Sequence, residues 1–472
     1  MATTELVMPA GPSVLDGVTS LPVDALDVFN YGANNAYIVP GLIDVPRFAA
    51  ALAKTLVLFP VYGARVRCEA GGGVPWVISL PPAGVPFTVA SNPSTDPLIM
   101  SHSSVVQVPT RFVPPHSPRK IVLDPTEPLA TVLLTHFPNL GVTCIGITRW
   151  HPIGSDFVAS KFIRTLSSFY MRLDDPISAP IYKPLRGFLP TSSNADQHLL
   201  DGIDTSATQT YYNPATTKHP QLPATPPNVR LDFRLSGVQV ETIRTAIAHA
   251  GSGVKLSAQD CLVALIAVAT NAADHGTPPI RTIDTILDVR GAAGIPAELA
   301  WNGWTFAMTD PIESPSAATA TENGDEDIQR KAEAAEYYTA LVDLQASRAA
   351  EAAARGEREV LDLASPPGRM CVNSTLRLDT RTHFGPTRCF AGSVPFVRHL
   401  KLSRPNPPAH IGTAGPAAPA TTPQEDAHAE AERLAAVEVT LFFAPDVLER
   451  FRKEMEARVA RMGAGTVEWV VG

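Results

Sequence analysis

A chain of 472 residues is too long for one ordinary hydrophobic core; at about 100 to 200 residues per domain it calls for two large ones, and a 45% hydrophobic content can pack both. A formal net charge of -8, with no Lys/Arg cluster alternating with aromatics, argues against a nucleic-acid surface. Cys68, Cys144, Cys261, Cys371 and Cys389 are odd in number and widely spaced, which argues against a zinc site or a disulfide framework and suits a reducing cytosol.

In chain order, the first residues, Met1 to Asp16, lack the basic n-region and apolar core of a secretory signal. No apolar run reaches the roughly 20 residues that a membrane span needs, so a soluble, cytoplasmic protein is expected. Pro46 opens a helix at a favoured early position, with Phe48, Leu52 and Leu56 on one face. The β-branched, uncharged run Gly141 to Thr148 reads as a buried strand. After it come Arg149-Trp150-His151 and a turn at Pro152 and Gly154. Phe157, Val158, Phe162, Ile163, Leu166, Phe169 and Tyr170 then recur at helical spacing. His151 thus stands where a strand stops and a helix starts, a place suited to a general base.

A polar, Pro-rich connector follows at 192–228 and divides the chain into a first domain, 1–191, carrying His151, and a second, 229–472. Ala258 to Asn271 is an apolar helix stopped by Asp274-His275-Gly276-Thr277-Pro278-Pro279. Lys255 and Ser257 precede it, and such a pair can either meet phosphates or cap the helix. The acidic stretch 313–327 reads as a mobile loop leading into an alanine-rich, charged helix from about Ile328 to Glu359. The segment 403–425, rich in Pro, Ala, Gly and Thr, has too little apolar surface to offset its ordering entropy. Strands and helices alternate in both halves, which gives an α/β class with two similar sandwich domains. No Walker or Rossmann glycine pattern and no G-x-S-x-G elbow is present, against nucleotide triphosphates, nicotinamides and a Ser/His/Asp hydrolase.

His151-Pro152-Ile153-Gly154-Ser155-Asp156 resembles the H-x-x-x-D-G motif of the BAHD-type acyltransferases, CoA-dependent enzymes of plant and fungal secondary metabolism. Ser155 stands at the family's aspartate position, Asp156 follows one residue late, and Phe157 replaces the glycine. Leu56-Val57-Leu58-Phe59-Pro60-Val61-Tyr62-Gly63-Ala64-Arg65-Val66 resembles the family's early T-L-x-x-F-Y-P-L-A-G-R-L stretch. Ile286-Leu287-Asp288-Val289-Arg290 is similar to its D-x-R strand, and Asn302-Gly303-Trp304 to its F-G-N turn. Asn373-Ser374-Thr375 and His383-Phe384-Gly385-Pro386-Thr387 stand where it has S-W and D-F-G-W-G. In the last, His383 replaces the aspartate and reads as a turn residue at a domain interface.

The resemblance implies two chloramphenicol-acetyltransferase-like domains with a channel between them, and transfer of an acyl group from acyl-CoA to a hydroxyl, or less readily an amine, of a small apolar natural product. His151 is the implied base and Asn373 the implied oxyanion donor. Asp156 and Arg290 are implied as a structural ion pair, and Lys255 and Ser257 as contacts to CoA. The resemblance further implies a monomer that uses acyl-CoA as co-substrate, with no other cofactor and no metal. The displaced aspartate and the missing tryptophan also fit a catalytically inactive binding or scaffold relative. A condensation-type transferase fed by a carrier protein is the remaining alternative.

Overall fold

The computed structural model describes residues 2–23, 32–68, 76–94, 112–114, 126–173, 178–188, 209–212, 228–250, 256–291, 294–308, 358–361, 368–379, 381–391, 398–407 and 430–470. The loop expected at 313–327, Lys255, most of the 192–228 connector and most of 403–425 lie outside these residues. So does the helix expected from Ile328, except at its end, where Arg358–Leu361 is instead a strand paired with Gln209–Tyr212.

The first half is built on a six-stranded sheet. Its own strands are β1 (Thr3–Val7), β2 (Gly32–Pro40), β3 (Val85–Ser91), β4 (Ala130–Phe137) and β5 (Val142–Trp150). Every residue of β5 is buried, which is why its sequence is a continuous apolar run and not an alternating one. Helices α1 (Val45–Leu58) and α2 (Asp156–Met171) pack together over the face that carries Ile145 and Ile147. Asp44 caps α1 by accepting from the Arg47 amide at 2.8 Å, with Pro46 in the first turn. Past α1, the Pro60–Gly63 turn drives Tyr62 under α2, where its ring stacks on Phe162 at 4.1 Å and 3°. Phe59 meets the same ring edge-on at 5.6 Å. The early motif therefore forms the floor beneath the helix that follows His151.

The second half holds a seven-stranded sheet. Its strands are β6 (Val229–Leu235), β7 (Thr282–Asp288), β8 (Trp304–Met308), β9 (Arg369–Ser374), β11 (His399–Ser403), β12 (Val437–Phe443) and β13 (Glu468–Val470), in the spatial order β8-β7-β9-β11-β12-β6-β13. Alternation with period two sends Leu231, Phe233, Val372, Leu400, Leu402, Val439 and Leu441 to one face. There they pack with residues of α3 (Gly237–Ala250), α4 (Ala258–Ala273) and α5 (Leu448–Arg461). The register places Asn373, Lys401, Thr440 and Asp232 in one row on the other face. Lys401 and Thr440 are nonetheless buried, so this is a polar layer inside the molecule.

The two halves interlock. The strand β10 (Arg388–Ala391) belongs by sequence to the second half but pairs antiparallel with β2, completing the first sheet in the order β1-β3-β4-β5-β2-β10. Val289, Leu299 and Trp301 lie in the first hydrophobic core. Phe384 packs there too, 5.4 Å from the Tyr170 ring and 6.5 Å from Phe48. The neighbouring His383 is a turn residue whose amide donates to Ser167 Oγ of α2 at 2.9 Å.

Phe162 is fully buried between Phe59 and Tyr62. Phe162→Ala should lower the free energy of unfolding by about 3 to 5 kcal/mol, measured by urea denaturation of the whole chain. A loss well under 1 kcal/mol would show that this stack is not a structural floor.

Candidate active site

The site begins with one buried charge. Arg149, next to last in β5, points the same way as Ile145 and Ile147 and is fully buried. Its guanidinium is satisfied on three sides. Nη2 donates to Asp156 Oδ1 at 2.8 Å, Nε to the Gly154 carbonyl at 3.3 Å, and Nη1 to Asn35 Oδ1 on β2. The strand end, the turn and the start of α2 are thus tied to one group. His151 lies inside that loop, opening a single 3₁₀ turn, His151–Ile153, that closes when the Gly154 amide donates to the His151 carbonyl at 3.0 Å. Gly154 has φ 149°, and a Cβ there would sit 2.6 Å from the Val158 side chain. Only glycine fits this turn.

The half-buried His151 ring titrates far from its ordinary value. Burial, and then the Arg149 guanidinium, push it down to about 4, with Asp156 opposing and Lys401 adding to the fall. At neutral pH it is therefore an uncharged imidazole with a lone pair to offer. Asp156 moves for the opposite reason. Burial alone would raise its carboxyl, but Arg149, and after it Lys401, overcome that and hold it at about 2.

The expected Asp156–Arg290 pair does not form. Asp156 is on Arg149, whereas Arg290 Nη1 holds Asp288 Oδ2 at 2.8 Å. Arg290 Nη2 instead donates to Ser155 Oγ at 3.3 Å, and Nε to the Leu299 carbonyl at 2.8 Å. The cause is the one-residue delay of the aspartate. Successive side chains around a helix start diverge by roughly 100°, so the residue after Ser155 faces back to β5 and not across to the second half. Ser155, one residue earlier, meets Arg290 with an uncharged hydroxyl. Gly303 makes room for it, since a Cβ there would meet the Arg290 guanidinium at 2.8 Å.

The other expected residues are scattered. Asn373 is next to last in β9, in register with Lys401 of β11. Ser257 is a helix cap: its hydroxyl accepts from the Asp260 amide at 3.2 Å and donates to Asp260 Oδ2 at 2.6 Å. The Asp260 carboxylate thus already sits at the α4 N-terminus, where a phosphate would dock.

A cavity of about 710 Å³ lies between the halves. Asn35, Tyr37, Asp156 and Ser160 line it from the first, and Thr375 to Asp379, Lys401, Arg404 and Asn406 from the second. His151 is not on this wall, but Asp156 and Lys401, whose charges act on its ring, are. Arg149, Asn35 and Lys401 were not singled out from sequence; the available signal for Arg149 was a lone charge at the end of an apolar strand.

Among the described residues, no group of three or more His, Cys, Asp or Glu could hold a metal ion, and no helix is long and apolar enough to cross a membrane. No protein-family profile and no curated protein matches the chain. Solved structures do match along nearly its whole length. TRI101 of F. graminearum, complexed with coenzyme A and deoxynivalenol, is 12% identical, with 96% of this chain and 100% of that one covered and a TM-score of 0.64. Vinorine synthase is 14% identical, with 97% and 98% covered and a TM-score of 0.58. The starter condensation domain of rhizomide synthetase, in complex with C8-CoA, is 12% identical, with 95% and 96% covered and a TM-score of 0.53. The chain therefore has the two-domain α/β fold of the BAHD acyltransferases TRI101 and vinorine synthase, the family its motifs resemble.

Two outcomes follow from the turn. Asp156 titrates below an unfolded aspartate, so the stability it contributes is fully present above about pH 4 and is lost as pH falls toward 2. Asp156→Asn should destabilise the protein at pH 7 by about 3 kcal/mol, because it leaves Arg149 buried without its counter-charge, and should flatten the stability profile between pH 4 and 2. An unchanged acid profile would refute the pairing. Gly154→Ala should cost about 1 to 3 kcal/mol in thermal or chemical unfolding through backbone strain and the Val158 clash.

Proposed function

We propose that the protein transfers an acyl group from acyl-CoA to a hydroxyl of a small natural product, with His151 as general base. The observation that carries this reading is the neutral His151 ring on a turn braced by Arg149, beside a cavity shared by both halves. The fold shared with TRI101, whose structure holds coenzyme A and deoxynivalenol, supports it. In the reaction, His151 takes the hydroxyl proton as the oxygen attacks the thioester carbonyl. The tetrahedral intermediate collapses with cleavage of the C–S bond, and the departing thiolate takes the proton back from the imidazolium. No covalent acyl-enzyme is needed. Asn373 is the proposed donor to the oxyanion. Of the residues proposed for the CoA phosphates, Ser257 would have to release Asp260 to serve. Leu376, Leu378 and Leu434 on the cavity wall suit a mostly apolar acceptor.

A ring held at about 4 is unprotonated throughout the neutral range but is a weak base, so its contribution belongs toward the lower end of the ~10² to 10⁴ that general-base catalysis supplies. His151→Ala should lower kcat by about that factor in a CoA-release assay while leaving the stabilisation by acetyl-CoA intact. That stabilisation, read as a rise in Tm, corresponds to about 2.7 kcal/mol at 100 times the dissociation constant. The kcat/KM of the wild type should be flat near pH 7 and fall only as pH drops through about 4. Unchanged turnover in the alanine variant would overturn the role of His151. No rise in Tm with any acyl-CoA would overturn the donor.

A further inference from the structure

The cavity between the halves is unbalanced in charge. Its wall carries Arg377, Arg381, Lys401, Arg404 and Arg433 against Asp156, Asp379 and Glu430. Each of these acids is already held by an arginine. Asp156 is taken by Arg149, which is not on the wall; Asp379 by Arg381 at 2.8 Å; and Glu430 by Arg433 at 2.6 Å. The half-buried Arg404 is spent on the carbonyls of Leu376 and Ala436, both at 3.3 Å, and makes no ion pair among the described residues. Burial, and then repulsion from Arg433, lower its guanidinium from the ordinary value. Arg377, exposed at the rim, likewise makes no ion pair among the described residues. Lys401, 3% exposed, projects from the polar row of the second sheet, and its charge is felt by both His151 and Asp156.

Like charges gathered on a partly desolvated wall repel strongly and invite an anion. The size of the space says which molecule brings it. About 710 Å³ is the scale of a whole drug-sized ligand and far exceeds a short acyl group. We propose that the acceptor is a mostly apolar molecule bearing one acidic group, a carboxylate or an equivalent oxyanion, which Lys401 and Arg404 bind with Arg377 at the entrance, and that this contact fixes how the acceptor lies in the cavity beside the His151 turn. The proposal rests on the acyl-transfer reading for the identity of the ligand as acceptor, but the charge preference can be read without turnover. The phosphates of CoA are the other source of the same chemistry, and the test separates the two.

Binding to the full chain would be measured by calorimetry for 4-hydroxybenzoate, 4-hydroxycinnamate and 12-hydroxydodecanoate, each against its methyl ester, with acetyl-CoA run in parallel. At least one acid should bind about tenfold or more tightly than its ester, the difference one charge-assisted contact makes. Lys401→Met and Arg404→Gln should bring that ratio close to one, Arg377→Gln should reduce it, and acetyl-CoA affinity should stay at the wild-type value in all three. Should Lys401→Met fail to fold, the exposed Arg377→Gln and the charge-retaining Lys401→Arg, which should keep the acid preference, carry the test. Failure of every acid to bind, equal binding of acids and esters, or a preference that survives the substitutions would overturn the proposal. Loss of acetyl-CoA affinity in the variants would overturn it in favour of CoA phosphates. Absence of acetyl-CoA binding in the wild type would instead count against the transferase reading, whichever way the acid-to-ester ratio falls.

Discussion

The geometry around His151 depends on one requirement: a guanidinium that cannot lose its proton has been placed where water does not reach. A buried arginine must have its donors met, and Arg149 meets them with a side-chain amide from β2, a turn carbonyl and a carboxylate at the start of α2. Each partner belongs to a different segment. The same hydrogen bonds that make the burial tolerable therefore fix the strand end, the Gly154 turn and the direction of α2 relative to one another. His151 is carried on that frame, and its low basicity follows first from burial and then from the cation that organises it.

A second brace comes from the other half of the chain. Arg290 reaches Ser155 Oγ while holding Asp288 and the Leu299 carbonyl, and its guanidinium lies 4.7 Å from the Phe157 ring centroid. The turn is thus gripped from within its own domain by an ion pair and across the interface by a hydrogen bond from a guanidinium to an uncharged hydroxyl. The two grips differ in sensitivity. Acid releases the first by protonating Asp156, whereas the second has no titrating acceptor.

Much of this was legible in the sequence, for physical reasons that can be named. The uncharged β-branched run Gly141 to Thr148 became β5 because a strand buried on both faces has no polar alternation to hide. The 3.6-residue recurrence after Phe157 became α2 because that face had to meet Tyr62 and Phe59. The partner of Asp156 was misassigned because a shift of one residue at a helix start redirects a side chain, and linear spacing carries no record of that rotation. Lys401 escaped notice because His399-Leu400-Lys401-Leu402-Ser403 looks like an edge strand with a wet face. In fact it is central, and its polar side points into an internal layer. The pairing of Arg388–Ala391 with β2 joins residues hundreds of positions apart, which no local pattern can reveal.

That pairing governs the order in which the molecule can be made. Until Arg388–Ala391 has been synthesised, β2 is a sheet edge with unmet amides and carbonyls, adjoining the strand that carries Arg149. The first half thus leaves the ribosome as an incomplete body and must wait through the whole stretch from Trp150 to Arg388 with an adhesive border. Any other extended segment that reaches β2 first, from this chain or another, competes for the place. The intertwining that joins the two halves in the finished protein is, during biogenesis, an interval of exposure.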